Sequence, residues 1–331
     1  MVEKILPGLY RIVLPLSGNP LREINSFVFT SNDRNLIVDT GMNRDECLEA
    51  MEAGLDEIGV DLGRTDVLAT HFHADHQGLV PTLLRKGSRA FMGERDVEAI
   101  SGHGDYWTES GPMGQLAIKA GFPSDVLRSS LENHPGFKYG PQVPVDFIGL
   151  RDGETIGIGD YTLRVVMTPG HTGGHICLYE PDARFLISGD HVLGDITPNL
   201  QAWGDDEDPL GDFLVSLAHV DTLDIDLCLP GHRALVENCS ERIAELAEHH
   251  RERANEVIAI LEEGPRNAYD TAGRMSWDIV AASWDDFPIM QRWFATGESI
   301  AHIRYLEARG LVERDFVNGQ TLYRCEGATR L

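Results

Sequence analysis

The chain has 331 residues, 42% of them hydrophobic and 24% charged, with a formal net charge of −25. That length exceeds what one small core requires and suggests one large domain plus one small one. A surface so acidic repels nucleic acid and anionic membranes unless a local basic patch overrides it.

No run of about 18 uninterrupted apolar residues occurs. The opening MVEKILPGLYRIVLPL carries Pro and charges where a signal peptide needs a smooth apolar stretch, so a cytoplasmic chain is expected. Five widely spaced cysteines without a CxxC argue against a disulfide framework or a thiolate zinc site, and are expected to be reduced and mostly buried.

In chain order, NLIVDTG (35–41) reads as a short buried strand ending in a turn. NRDECLEAMEAGLDEIG (43–59) follows with helical periodicity and Asn43 as N-cap. The strand DVLATH delivers THFHADHQG (70–78) at its C-terminal end, the edge where α/β proteins place their chemistry. After a further helix and the strand SRAFMG, residues 101–145 turn irregular, with a helical segment near 115–133, and read as an insertion or lid. Within it, His103, Tyr106 and Trp107 are candidates for closing over substrate, with packing of the insertion onto the domain as the alternative.

The strand pattern resumes with VDFIGLRDGETIGIGDYTLRVVMTPGH, continues through HICLYE and RFLISGDHV, and closes with DLCLPGH. Three of these segments end an apolar strand in a metal-type residue: His171 after TPG, Asp190 after SG and His232 after PG. A strand end is rigid, the glycine lets the backbone approach closely, and the side chain beyond it can reach a shared cleft.

The ligand chemistry points to two centres. His71 and His73 are two apart and share one side of an extended backbone. Asp75 and His76 lie one turn on and can face a second centre at the usual two-metal separation of about 3.5–4 Å. Imidazole nitrogen and carboxylate oxygen without thiolate suit Zn²⁺, with Fe or Mn as alternatives. His175 and His191 flank ligand motifs but sit on strands or strand exits and read as hydrogen-bonded structural residues; His249 and His250 read as surface positions of a helix.

Through the DTG turn, THFHADH, TPGHTGGH, SGDHV and LPGH, in order over residues 1 to about 240, the chain resembles the metallo-β-lactamase fold hydrolase superfamily. The resemblance implies an α/β (α+β) fold of two β-sheets flanked by helices, with His71, His73 and His171 on one metal, Asp75, His76 and His232 on the other, and Asp190 bridging both. It also implies a bridging hydroxide as nucleophile, with Asp75 orienting it and passing a proton to the leaving group, and Asp39 of the DTG turn either fixing a ligand imidazole or capping the turn. True β-lactamases typically carry Cys or Ser where this chain has Asp190, whereas glyoxalase II-like thioesterases and tRNA-processing nucleases keep the aspartate. A glyoxalase II-like di-zinc hydrolase of a small thioester or ester is therefore expected; a single-strand endoribonuclease or phosphodiesterase is the alternative, with a mono-iron persulfide dioxygenase or a β-lactamase behind it.

Residues 241–331 read as a linking helix, apolar at Ile243, Leu246, Ala254, Ile258 and Leu261, followed by a smaller module. In that module ESIAHIRYLEARG is a helix stopped by Gly310, and LVERDFVNGQTLYRC is a hairpin turning at Asn-Gly. It resembles a winged helix, as found in family members such as the mitochondrial endoribonuclease known as β-lactamase-like protein two. From Pro265 onward, however, eight arginines and no lysine face nine acidic residues, a net charge of −1, where a nucleic-acid reader presents a basic face. A cap that walls the cleft or packs against a homodimer partner is expected instead, with a small molecule as substrate.

Overall fold

A computed structural model describes residues 1–101, 108–202, 204, 206–327 and 330–331. His103, Tyr106 and Trp107 lie outside the described residues. The chain divides into two compact units: Met1–Gly102, Lys138–Pro198 and Ser216–Ile243 form one, and His103–Phe137, Asn199–Val215 and Ala244–Leu331 form the other.

The first unit holds two sheets. One has seven strands in sequential order: β1 (Val2–Leu6), β2 (Leu9–Leu16), β3 (Arg22–Phe29), β4 (Asn35–Val38), β5 (Thr65–Leu68), β6 (Ala90–Gly93) and β7 (Phe147–Leu150). Pairing is antiparallel from β1 to β4 and parallel from β4 to β7. The other sheet contains β8 (Thr155–Ile158), β9 (Tyr161–Met167), β10 (Ile176–Glu180), β11 (Phe185–Gly189) and β12 (Leu227–Pro230), in the order β12-β11-β10-β9-β8. Only its β11–β12 pair is parallel.

The period-two alternation of side chains explains the layering. Phe27, Phe29, Leu36, Val38 and Leu68 enter a core shared with Leu163, Val165, Leu178, Phe185 and Ile187 of the second sheet. Their neighbours Val28, Ile37 and Val67 point the other way, onto Cys47, Met51 and Leu55 of the helix Asp45–Glu57. Truncating a fully buried ring such as Phe27 to Ala costs about 3–5 kcal/mol in a core of this kind. The result is the sandwich of sheets and helices expected from the sequence.

Local expectations fail at identifiable places. Arg44, not Asn43, caps the helix Asp45–Glu57, and it does so without a side-chain bond. The Asn43 N–H donates to the Tyr139 carbonyl at 2.9 Å, a long-range bond that holds this residue outside the helix. The helical segment near 115–133 is two helices, Pro112–Lys119 and Ser124–Asn133, parted at Gly121 (φ +85°) and Pro123.

In the second unit, the insertion residues Met113, Ala117, Phe122, Leu127 and Leu131 share an apolar cluster with Tyr269 and Trp293. The helix Ile289–Ala308 stops before Gly310 (φ +69°). The hairpin β13 (Glu313–Val317) and β14 (Gln320–Arg324) follows, with Asn318 and Gly319 at φ +50° and +85°, both positive as a type I′ turn requires. The apolar positions expected along the helix Cys239–Glu262 are all buried. So is His250, which corrects its surface placement: it lies four residues from both Leu246 and Ala254, on the same stripe.

His302 Nδ1 donates to the Glu298 carbonyl at 2.8 Å, which leaves its Nε2 to accept from His250 Nδ1 at 3.2 Å. Burial holds both imidazoles neutral, pushing His302 down to about 3 and His250 well below its ordinary value. All five cysteines are free and buried. Among the described residues, no helix is long and apolar enough to cross a membrane.

Candidate metal centre

The histidines and aspartates of the sequence motifs come together at strand ends of both sheets in the first unit. His71, His73, Asp75 and His76 follow β5; His171 follows β9, Asp190 follows β11 directly and His232 follows β12. His73 closes the extended segment and caps a one-turn helix, Ala74–Gln77, which carries Asp75 and His76. At Gly231 a Cβ would lie 2.7 Å from Asp190 Oδ1 and 3.0 Å from the His76 ring, so only glycine admits the backbone here.

Two ligand groups result. His71 Nε2 and His171 Nε2 approach His73 Nδ1 at 3.0 and 2.9 Å. Nitrogens bound tetrahedrally at zinc distances lie about 3.3 Å apart, so the three imidazoles are spaced for one ion. Asp75, His76 and His232 form the second group, with His232 Nε2 at 3.5 Å from Asp75 Oδ2. Asp190 lies between them: Oδ1 is 3.4 Å from both His76 Nε2 and His232 Nε2, while Oδ2 is 3.5 Å from His171 Nε2.

The outer nitrogens of the second group are already committed. His76 Nδ1 pairs with Asp39 Oδ2 at 2.9 Å and His232 Nδ1 donates to the Glu23 carbonyl at 2.6 Å. These partners assign the proton to Nδ1 and aim both Nε2 lone pairs inward. Those two Nε2 atoms and Asp190 Oδ1 are buried and make no hydrogen bond. Burying three such atoms without partners is costly, whereas a cation among them satisfies all three, so the donor set fits a metal.

Charge agrees with geometry. Burial and the neighbouring imidazoles push His71 well below its ordinary pKa and leave it neutral. Burial opposes charge on His76 too, but the carboxylates of Asp39 and Asp190 outweigh it and hold His76 well above the usual value. Burial would likewise raise Asp190, yet His232 and His76 hold it well below the carboxylate range. A field that retains a proton on His76 also attracts a metal ion, whose uptake displaces that proton.

Asp39 is fully engaged. It sits at φ +62°, a conformation Asp tolerates better than most residues, and its Oδ1 accepts the Thr70 N–H at 2.8 Å. His175 Nε2 accepts the Asp190 N–H at 3.1 Å and its Nδ1 donates to Thr168 Oγ1 at 2.8 Å, so it props the Asp190 backbone. His191 is buried, and burial pushes it down to about 3. Neither joins a ligand group among the described residues.

Three contributors escaped the sequence. Thr70 Oγ1 contacts both Asp39 and His71, at 3.0 and 3.1 Å. Asn25 Nδ2 donates to the carbonyls of Pro230 and Arg233, each at 2.9 Å, and ties β3 to the loop bearing His232. Asp96 accepts the backbone N–H of Phe72, the residue between His71 and His73. Asn25 and Asp96 stand in no recognisable motif and act on residues distant in sequence, while Thr70 opens the THFHADH motif but is not of a metal-ligating type.

A family model described as "Metallo-beta-lactamase superfamily" matches residues 19–232. The chain belongs to that superfamily. As a metallo-beta-lactamase superfamily member it is an enzyme of a hydrolase class. It is 26% identical over 280 residues to the lactamase-like protein adaB of Aspergillus niger, covering 82% of this chain and 69% of that one. It is 25% identical over 268 residues to the beta-lactamase-like protein 2 homolog of Caenorhabditis elegans (79% and 74%). An atrochrysone carboxyl ACP thioesterase of Aspergillus fumigatus is 25% identical over 256 residues (76% and 65%). Among solved structures, a metallo-beta-lactamase family protein from Thermus thermophilus superposes with a TM-score of 0.82 at 28% identity, over 98% of this chain and all of that one.

Proposed function

We propose that this superfamily hydrolase cleaves a small thioester or ester with two Zn²⁺ ions. His71, His73 and His171 hold one ion; Asp75, His76 and His232 hold the other; Asp190 bridges them. The observation that carries this is Asp190, whose two oxygens face different ligand groups at 3.4–3.5 Å. The all-nitrogen-and-oxygen donor set supports zinc, with Fe or Mn able to occupy the same ligands. Thioester chemistry is supported by the relatives named as atrochrysone carboxyl ACP thioesterases, and the charge of −25 weighs against polyanionic nucleic acid.

When bound, the ions supply a water made acidic enough to attack near neutral pH and polarise the acyl carbonyl. The chain's own groups do the rest. Asp75 takes the proton released as the new C–O bond forms and returns it to the leaving sulfur or oxygen as the acyl bond breaks. Asp39 and the Glu23 carbonyl hold the His76 and His232 rings in one tautomer, so neither imidazole must reorganise during turnover.

The test is a screen of metal-loaded protein against acyl-coenzyme A, acyl-glutathione and acyl-carrier-protein thioesters, lactones, phosphodiesters, single-stranded RNA and a cephalosporin. Thioester or ester turnover is expected. Cleavage of RNA alone would replace this function with an endoribonuclease, and one tightly held iron with no second ion after reconstitution would replace it with a dioxygenase.

A further inference from the structure

Asp96 lies in the first turn of the helix Glu94–Ile100, just after β6, and is completely buried. Its Oδ2 accepts the Phe72 N–H at 3.0 Å and the Thr172 hydroxyl at 2.8 Å, and its Oδ1 accepts the Gly174 N–H at 2.7 Å. Phe72 stands between His71 and His73, and Thr172 follows His171. One carboxylate therefore fastens the two loops that carry all three imidazoles of the first ligand group. The fit is close: a Cβ on Gly174 would lie 2.6 Å from Asp96 Oδ1 and 2.1 Å from its backbone nitrogen. Stability alone accounts poorly for a carboxylate here, because its three partners are neutral. Burial pushes it up to about 7 even with those hydrogen bonds.

We propose that Asp96 is a positioning residue for the first metal, setting the spacing of His71, His73 and His171 by pinning the backbone of both loops. The inference rests on the metal reading given above. Asparagine at this position keeps the volume but turns one acceptor into a donor. Since the Phe72 and Gly174 N–H groups reach different oxygens, at least one of them would then face an amide N–H.

The experiment is Co²⁺ binding to the full chain by chelator competition, with the visible cobalt spectrum recorded and circular dichroism of the metal-free proteins as the folding control. Asp96→Asn should raise the Kd of the first ion about 10- to 100-fold and alter its d–d bands. Thr172→Val, which deletes one of the three bonds, should give a smaller rise, and Thr172→Ser should restore wild-type binding. A folded Asp96→Asn protein with unchanged Kd and spectrum overturns the inference. Should that variant fail to fold, equal affinities for Thr172→Val and Thr172→Ser overturn it. A wild-type chain that takes up no cobalt overturns the metal reading itself, and the positioning role falls with it.

Discussion

The protein buries histidines in two quite different ways. At the strand ends of the first unit, five imidazoles turn nitrogens toward one another and toward the carboxylates of Asp75 and Asp190. In the second unit, His250 and His302 form a line in which each ring hands its proton to the next acceptor, ending on the Glu298 carbonyl. Apart from the half-buried His73, every ring in both sets is buried. Burial therefore does not separate a ligand from a structural histidine; the direction of the uncommitted lone pair does. In the first set the outer nitrogens of His76 and His232 are occupied by Asp39 and the Glu23 carbonyl and their inner ones converge on Asp190, so the group is built for a cation. In the second, hydrogen bonds occupy three of the four ring nitrogens, leaving only His250 Nε2 without one, and burial keeps the pair neutral.

The contrast is tested most severely by removing a converging ring. His171→Ala should lose the ion of the first group, so that elemental analysis falls from about two metals per chain toward one and turnover collapses, whereas His302→Gln should leave metal content unchanged. Equal metal loss in both variants would erase the distinction. Next in size is Asp75→Asn, which keeps the shape but removes a charged proton acceptor. Its kcat should fall by roughly 10²-fold or more with KM little changed. A fully metallated Asp75→Asn enzyme with near-normal kcat would mean that the proton route runs elsewhere.

Asp39→Asn addresses the bond to the outer nitrogen of His76, its one remaining oxygen still able to accept the Thr70 N–H. By freeing the His76 ring it should weaken metal retention about 10- to 100-fold in chelator competition while leaving the apo fold intact. Unaltered retention would reduce Asp39 to a turn residue.

The smallest effect belongs to the second set. With His302 held down to about 3 and an unfolded value near 6.5, the unfolded chain binds more protons than the native one between those limits. Its contribution to stability is whole above pH 6.5 and is lost as pH falls, at about 1.4 kcal/mol per pH unit. His302→Gln should flatten the decline of Tm between pH 6.5 and 5 relative to wild type, and an identical pH profile would show that the ring titrates normally. His134, also pushed down to about 3 by burial, should behave alike.

The sequence displayed the metal-type residues clearly because each stands just past an apolar strand, and a strand end converts linear position into spatial direction. The strand NLIV was legible as a short apolar run, but its faces were not: only the structure sends Ile37 to the helix side and Leu36 and Val38 into the core between the sheets, and the strands before residue 35 were not read at all. What stayed hidden was fixed by distant backbone. Asp96 resembles any acidic residue in a first helical turn until Phe72 and Gly174, 24 and 78 positions away, are brought to it. Asn43 forfeits its expected cap because the helix starts one residue later, after Arg44, while its own N–H is tied to the distant Tyr139 carbonyl. His250 was legible in principle, since its spacing from Leu246 and Ala254 already placed it on the apolar stripe, but two adjacent histidines read as polar surface.

The ligands come from both layers of the sandwich, β5 on one side and β9, β11 and β12 on the other. Ions held by such a set are cross-links between sheets, so their occupancy enters the folding equilibrium directly. Free metal at a hundred times its dissociation constant adds about 2.7 kcal/mol to native stability, provided the unfolded chain does not compete. Metal scarcity would then shorten the lifetime of the protein as well as silence it, because a chain stripped of its ions opens more often to proteases whether or not substrate is present.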